Sequence, residues 1–165
     1  METTKKILIV DDDIDVISVV ETILTKEGYE VISASSKEAG IEKLKSEKPD
    51  LAILDVMMTT HYEGFELAKE IHSNPEFKDI PFLMQTSIDV LTTTKISVLD
   101  MAREFRKDPN YKDLQVLLVK NITDGTAAID YRTAEGKSVL FPVGGFLSKP
   151  ANAEKLLPEI KRLLK

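Results

Sequence analysis

Six polar residues, far apart along the chain, share one setting: each closes an apolar run. Asp11 and Asp12 follow ILIV (7–10), Asp55 follows LAIL (51–54), Thr86 and Ser87 end IPFLMQTS (80–87), and Lys149 ends GGFLSK (144–149). An aspartate after a strand is often only a turn former or helix cap, and Asp13 is read that way, as the cap of a helix starting at Ile14. Three carboxylates gathered at neighbouring strand ends are different. They repel one another and lose hydration unless a positive group sits among them. A hard divalent cation is the natural answer, and Mg²⁺ takes oxygen ligands while keeping several waters. With Lys149 nearby as a compact positive charge, the set suits phosphoryl transfer: Asp55 as nucleophile, metal and lysine neutralising the moving phosphoryl oxygens, Thr86 hydrogen-bonding the product.

The elements that must position these groups are legible in the patterning. The continuous apolar run 7–10 reads as a buried strand, and Ile14, Ile17, Val20, Ile23 and Leu24 form one helical face stopped by Gly28. A second strand spans YEVISAS (29–35); Ser35 and Glu38 read as a capping box opening a second helix, and Pro49-Asp50 turns into the strand LAIL. The alternation continues with a helix near 64–72, a strand near 80–84, a strand near 144–148 and a helix near 153–164. Short connections and doubly apolar strands predict a parallel α/β sheet covered on both faces, with function at the carboxyl ends of the strands. Residues 88–143 break this rhythm with a helix around 95–107, a strand-like QVLLV (115–119), and a hairpin of AAIDYR and KSVLFPV around TAEG. Residues 68–87 also echo 102–121 at an offset of 34, with six of twenty positions identical. The echo makes VLLVKN, with Lys120, a rival for the fourth core strand.

The 165 residues suffice for one well-cored domain. A net charge of −6 with scattered lysines argues against nucleic-acid binding, and no run is long enough to cross a bilayer. The absence of cysteine and of a secretory signal is consistent with a cytoplasmic protein.

ILIVDDD (7–13), LAILDVMM (51–58), EGFELAKEI (63–71), IPFLMQTS and GGFLSKP occur in the order found in receiver domains of two-component response regulators, and the chain resembles that family. The resemblance implies a doubly wound, flavodoxin-like (βα)5 fold with strand order 2-1-3-4-5, in a single domain (1–165) carrying an insertion at about 88–143. It also implies Asp55 as phosphoacceptor, Asp12 as direct Mg²⁺ ligand, Asp11 as its mainly water-mediated partner, and the backbone carbonyl of Met57 as a further ligand. Thr86 matches the switch hydroxyl, Lys149 the family's lysine, and Phe146 the aromatic that follows the active state. Two departures stand out. The loop MMTTHYEG lacks the usual proline and is one residue longer, with His61 read as a solvent-facing loop residue; 63 positions separate Thr86 from Lys149, far more than the family spacing.

The implied function is that of a stand-alone receiver, a regulatory phosphoacceptor and not a metabolic enzyme. It takes a phosphoryl group from a sensor histidine kinase or histidine phosphotransfer protein and signals through an unknown downstream protein, with self-association open. Two rivals remain: a phosphorylation-independent interaction module on the same fold, and a small-molecule phosphatase. The second lacks an acidic residue two positions after Asp55, where Met57 stands.

Overall fold

The computed structural model describes residues 4–55, 63–86, 90–93, 97–110, 116–123, 125–132, 135, 137–149 and 151–164. The chain divides into two compact units, Met1–Ser87 with Leu147–Lys165, and Ile88–Phe146. The first contains β1 (Lys6–Val10), α1 (Ile14–Lys26), β2 (Glu30–Ala34), α2 (Lys37–Glu47), β3 (Leu51–Asp55), α3 (Glu63–Ser73), β4 (Phe82–Thr86) and α5 (Ala153–Leu163). The second holds β5 (Leu91–Thr93), α4 (Val98–Lys107), β6 (Val116–Asn121), β7 (Ala127–Arg132) and β8 (Ser138–Val143); β9 (Gly145–Ser148) follows.

β2, β1, β3, β4 and β9 form a five-stranded sheet in that order. The pairs β1–β2, β1–β3 and β3–β4 are parallel. This is the doubly wound order expected from the sequence, with β9 as the fifth core strand. One face of the sheet contributes Ile7, Ile9, Leu51, Ile53, Leu83 and Leu147, which pack with Val20 and Leu24 of α1 and Leu156 and Ile160 of α5. Helices α2 and α3 pack on the strands from the other side. Gly40 of α2 lies so close that a Cβ there would stand 3.2 Å from both Leu67 and Val10.

Local chemistry sets the helix ends. Asp13 caps α1, its carboxylate accepting from the Asp15 N–H. The helix ends in a Schellman turn in which Gly28 adopts φ +92°, and the Gly28 and Tyr29 N–H groups donate to the carbonyls of Thr25 and Leu24. The expected Ser35–Glu38 box is not what opens α2. Ser36 is the cap, and its hydroxyl accepts from the Ala39 N–H. Ser35 fails because β2 runs to Ala34 and the chain turns one residue later than the pattern suggested. The fourth strand likewise sits at 82–86, two residues beyond the expected 80–84, because Pro81 lacks the N–H a central strand needs.

The second unit is a four-stranded sheet of order β5-β6-β7-β8. β5 pairs parallel to β6, and the two following pairings are antiparallel. The β7–β8 hairpin is the one read from the sequence. Strand β5 is an addition, since LTT is too short to carry a periodic signal. Val98 and Ala102 of α4 pack on Val119 and Ala128, and Arg106 of α4 is ion-paired to buried Asp130 at 3.3 Å. Shifting α3 and β4 by 34 residues lands on 97–107 and 116–120, so the sequence echo joins helix to helix and strand to strand. Strand β6 nevertheless belongs to this second sheet, and Lys120 is no part of the five-stranded one.

Candidate phosphoryl-transfer site

The parallel register aligns the carboxyl ends of β1 and β3, pairing Val10 with Leu54 and bringing Asp11 level with Asp55. Both aspartates are buried, at 0% and 3% exposure, whereas Asp12 is exposed. Carboxylate oxygens of Asp11, Asp12 and Asp55 all lie within 4.8 Å of one another. Asp11 Oδ1 accepts the Asp13 N–H at 2.9 Å, which fixes the carboxylate and leaves Oδ2 turned toward Lys149.

Lys149 just follows β9, and its backbone N–H donates to the Thr86 carbonyl at 2.9 Å, tying the end of that strand to β4. From there the four-carbon stem extends over the end of β4 and meets the Asp55 side chain coming from β3, the strands being spaced roughly 4.8 Å apart. Its Nζ stands 3.1 Å from Asp55 Oδ1 and 3.4 Å from Asp11 Oδ2. Burial alone would push this lysine's pKa down. The hydrogen bond from Lys149 to Asp55, with the charges of Asp55 and Asp11, outweighs burial and holds the pKa above the usual lysine value. Thr86, 2% exposed, ends β4 beside this group, and Phe146 is buried on β9 at 8%.

Among the residues named from the sequence, the fold therefore brings together Asp11, Asp12, Asp55 and Lys149, with Thr86 on the adjoining strand end. Met57 and His61 lie outside the described residues. The sequence reading passed over Gln85, a polar residue inside an apolar strand that is aligned with Asp55. Its signal was the interruption of the apolar run one position before Thr86.

Three carboxylates facing one ammonium leave a net negative cluster. Its oxygen-only donor set and the Asp11 Oδ2, which accepts no hydrogen bond from the described residues, fit a hard divalent cation such as Mg²⁺. A buried carboxylate with a lysine and an acidic cluster at the carboxyl edge of a parallel sheet can act as a nucleophile toward phosphorus.

Comparison with known proteins identifies the family. The profile of the response regulator receiver domain matches residues 7–117, more than half of the chain. The chain belongs to the response regulator receiver family. The match stops before β9, so the placement of Lys149 in this receiver comes from the strand pairing. Among curated proteins, the receiver is 39% identical over 83 residues to the alkaline phosphatase synthesis transcriptional regulatory protein PhoP of Bacillus subtilis, covering 50% of this chain and 33% of that protein. It is 39% identical over 89 residues to the probable transcriptional regulator ycf27 of Porphyra purpurea, covering 53% and 35%. The matched region thus spans about a third of each relative's length. Among solved structures, the chemotaxis response regulator CheY4 of Vibrio cholerae superposes with a TM-score of 0.60 at 26% identity, covering 98% of this chain and 100% of that one. A CheY-like receiver domain protein from Methanospirillum hungatei gives 0.61 at 25%, covering 98% and 94%. The family is regulatory, and no helix among the described residues is long and apolar enough to cross a membrane.

Proposed function

We propose that this receiver is a phosphorylation-dependent switch in which Asp55 accepts a phosphoryl group from a phosphohistidine on a sensor kinase or phosphotransfer protein. The observation that carries the reading is the buried Asp55 carboxylate, 3.1 Å from the Lys149 ammonium and within 4.8 Å of two further carboxylates. In the transfer an Asp55 oxygen bonds to phosphorus as the P–N bond to the imidazole breaks, and that electron pair returns to the ring. Asp11, Asp12 and Asp55, with the Met57 carbonyl, would hold Mg²⁺, which when bound supplies positive charge to the phosphoryl oxygens. Lys149, 3.1 Å from Asp55, supplies a second positive charge. The Thr86 hydroxyl donates to a phosphoryl oxygen only after modification, and that contact biases the β4 end and Phe146 toward a second arrangement.

Residues 88–143 are read as an insertion into the receiver, a separate small sheet that sets partner choice. The chain acts through protein contacts in the cytoplasm and turns over no metabolite.

Intact mass after incubation with Mg²⁺ and acetyl phosphate tests this reading. A Mg²⁺-dependent gain of one phosphoryl group, absent in Asp55→Asn, is expected. A folded native chain that gains nothing from acetyl phosphate or from phosphohistidine donors would refute it.

A further inference from the structure

Gln85, the penultimate residue of β4, is 1% exposed, and neither Oε1 nor Nε2 of its carboxamide has a hydrogen-bond partner among the described residues. It is aligned with Asp55 across the β3–β4 pair. Residues in register on neighbouring strands leave the same face of the sheet, with strands about 4.8 Å apart. Below the charged group at its carboxyl edge that face is apolar, with Ile53, Leu83, Leu147, Leu156 and Ile160 in its core. A carboxamide there gives up its hydration without a partner among the described residues, a cost that methionine of similar length avoids. Such a group calls for a partner in another state of the molecule.

We propose that Gln85 is a positioning residue of the phosphoryl site, whose Nε2 donates to the Asp55 carbonyl oxygen once the phosphoryl group is in place and thereby shortens the lifetime of the acyl phosphate. The inference rests on the reading of Asp55 as phosphoacceptor. In the unmodified site Lys149 Nζ serves Asp55 Oδ1 at 3.1 Å. A phosphoryl group on Asp55 adds negative charge beyond the strand end and draws the ammonium toward it, so the Asp55 oxygen loses its charged donor. Gln85 is the buried donor one strand away on the same face. In hydrolysis, water oxygen bonds to phosphorus and the P–O bond to Asp55 breaks. Its electron pair returns to the carboxylate, and the water proton leaves with the phosphate. An N–H donor on that carboxylate stabilises the charge growing there and favours the step.

The test compares the native chain with Gln85→Met and Gln85→Leu, each loaded with Mg²⁺ and acetyl phosphate, freed of donor, and followed by intact mass alongside thermal unfolding. The expected result is a phosphoryl half-life lengthened about tenfold, the scale of one hydrogen bond to a charged group, with a melting temperature equal to or above the native one. A higher melting temperature with an unchanged half-life would overturn the proposal and leave Asp55 as phosphoacceptor standing. A native chain that never takes up phosphate would sink both. Should neither variant fold, the native protein still decides: the assigned Gln85 side-chain amide resonances should shift when beryllofluoride and Mg²⁺ are added, and an unmoved pair rejects the role.

Discussion

Lys149→Met isolates the lysine's electrostatic role from its packing, since the two side chains share a length and differ in charge. At an effective dielectric near 20, each contact of Lys149 with Asp55 and Asp11, at 3.1 and 3.4 Å, is worth about 5 kcal/mol before desolvation is counted. Burying the ammonium and ordering its stem offset most of that gain. Removing one partner of a buried pair typically costs about 3–5 kcal/mol, because the remaining charges stay buried without compensation. Lys149 is 22% exposed, so solvent screening lowers the expected cost to about 2–3 kcal/mol in Mg²⁺-free buffer. In urea, at about 2 kcal/mol per molar, the unfolding midpoint falls by about 1–1.5 M. Adding Asp55→Asn removes one of the two buried carboxylates, and the double variant should regain about 1 kcal/mol or more. The pH dependence has a definite sign. The folded pKa of Lys149 is raised above the usual 10.5, so its contribution is fully present below that value and is lost as pH rises through the higher folded pKa. The stability gap between native and Lys149→Met chains should therefore stay flat from about pH 7 to 9.5 and close only above about 10.5. A variant as stable as the native chain, or a double variant whose losses simply add, would refute the electrostatic account.

Mg²⁺ should stabilise the native fold by mass action: at ten times its dissociation constant the gain is about 1.4 kcal/mol, a rise of about 3–6 °C in melting temperature for a chain of this size. Calorimetry with and without EDTA measures it, and Asp12→Asn or Asp55→Asn should shrink it. In the second unit, Arg106→Leu leaves Asp130 buried without its cation, both side chains being at most 10% exposed; a local loss of about 3 kcal/mol is expected. Hydrogen exchange should then accelerate at the β6, β7 and β8 amides while those of β1 and β3 keep their protection.

Much of the first unit could be read from local pattern because its signals are short-ranged. An apolar run of four or five residues ended by a carboxylate is a buried strand meeting the crevice, and Asp13 and Gly28 mark the ends of α1 by their own backbone and side-chain chemistry. Ser35 went wrong for the opposite reason: two adjacent serines offer the same hydroxyl, and only the end of β2 selects Ser36. The three-residue strand β5 left no trace in the pattern because its existence depends on pairing with β6, 28 positions on from Leu91 to Val119.

The carboxylates, hydroxyls and lysine announced phosphoryl chemistry through their types and their places after apolar runs. Which segment forms the fourth core strand was a different question. The 34-residue echo offered VLLVKN, which would set Lys120 in the place of Thr86 and lose its hydroxyl, against IPFLMQTS of the family pattern. Strand pairing decided it, because β9 lies beside β4, whose Thr86 carbonyl takes the Lys149 N–H, while β6 completes another sheet. The same pairing set Gln85 level with Asp55. Residue type and local order fix what a group can do; which groups stand 3 Å apart depends on hydrogen bonds between strands distant in the chain, and no local pattern encodes those.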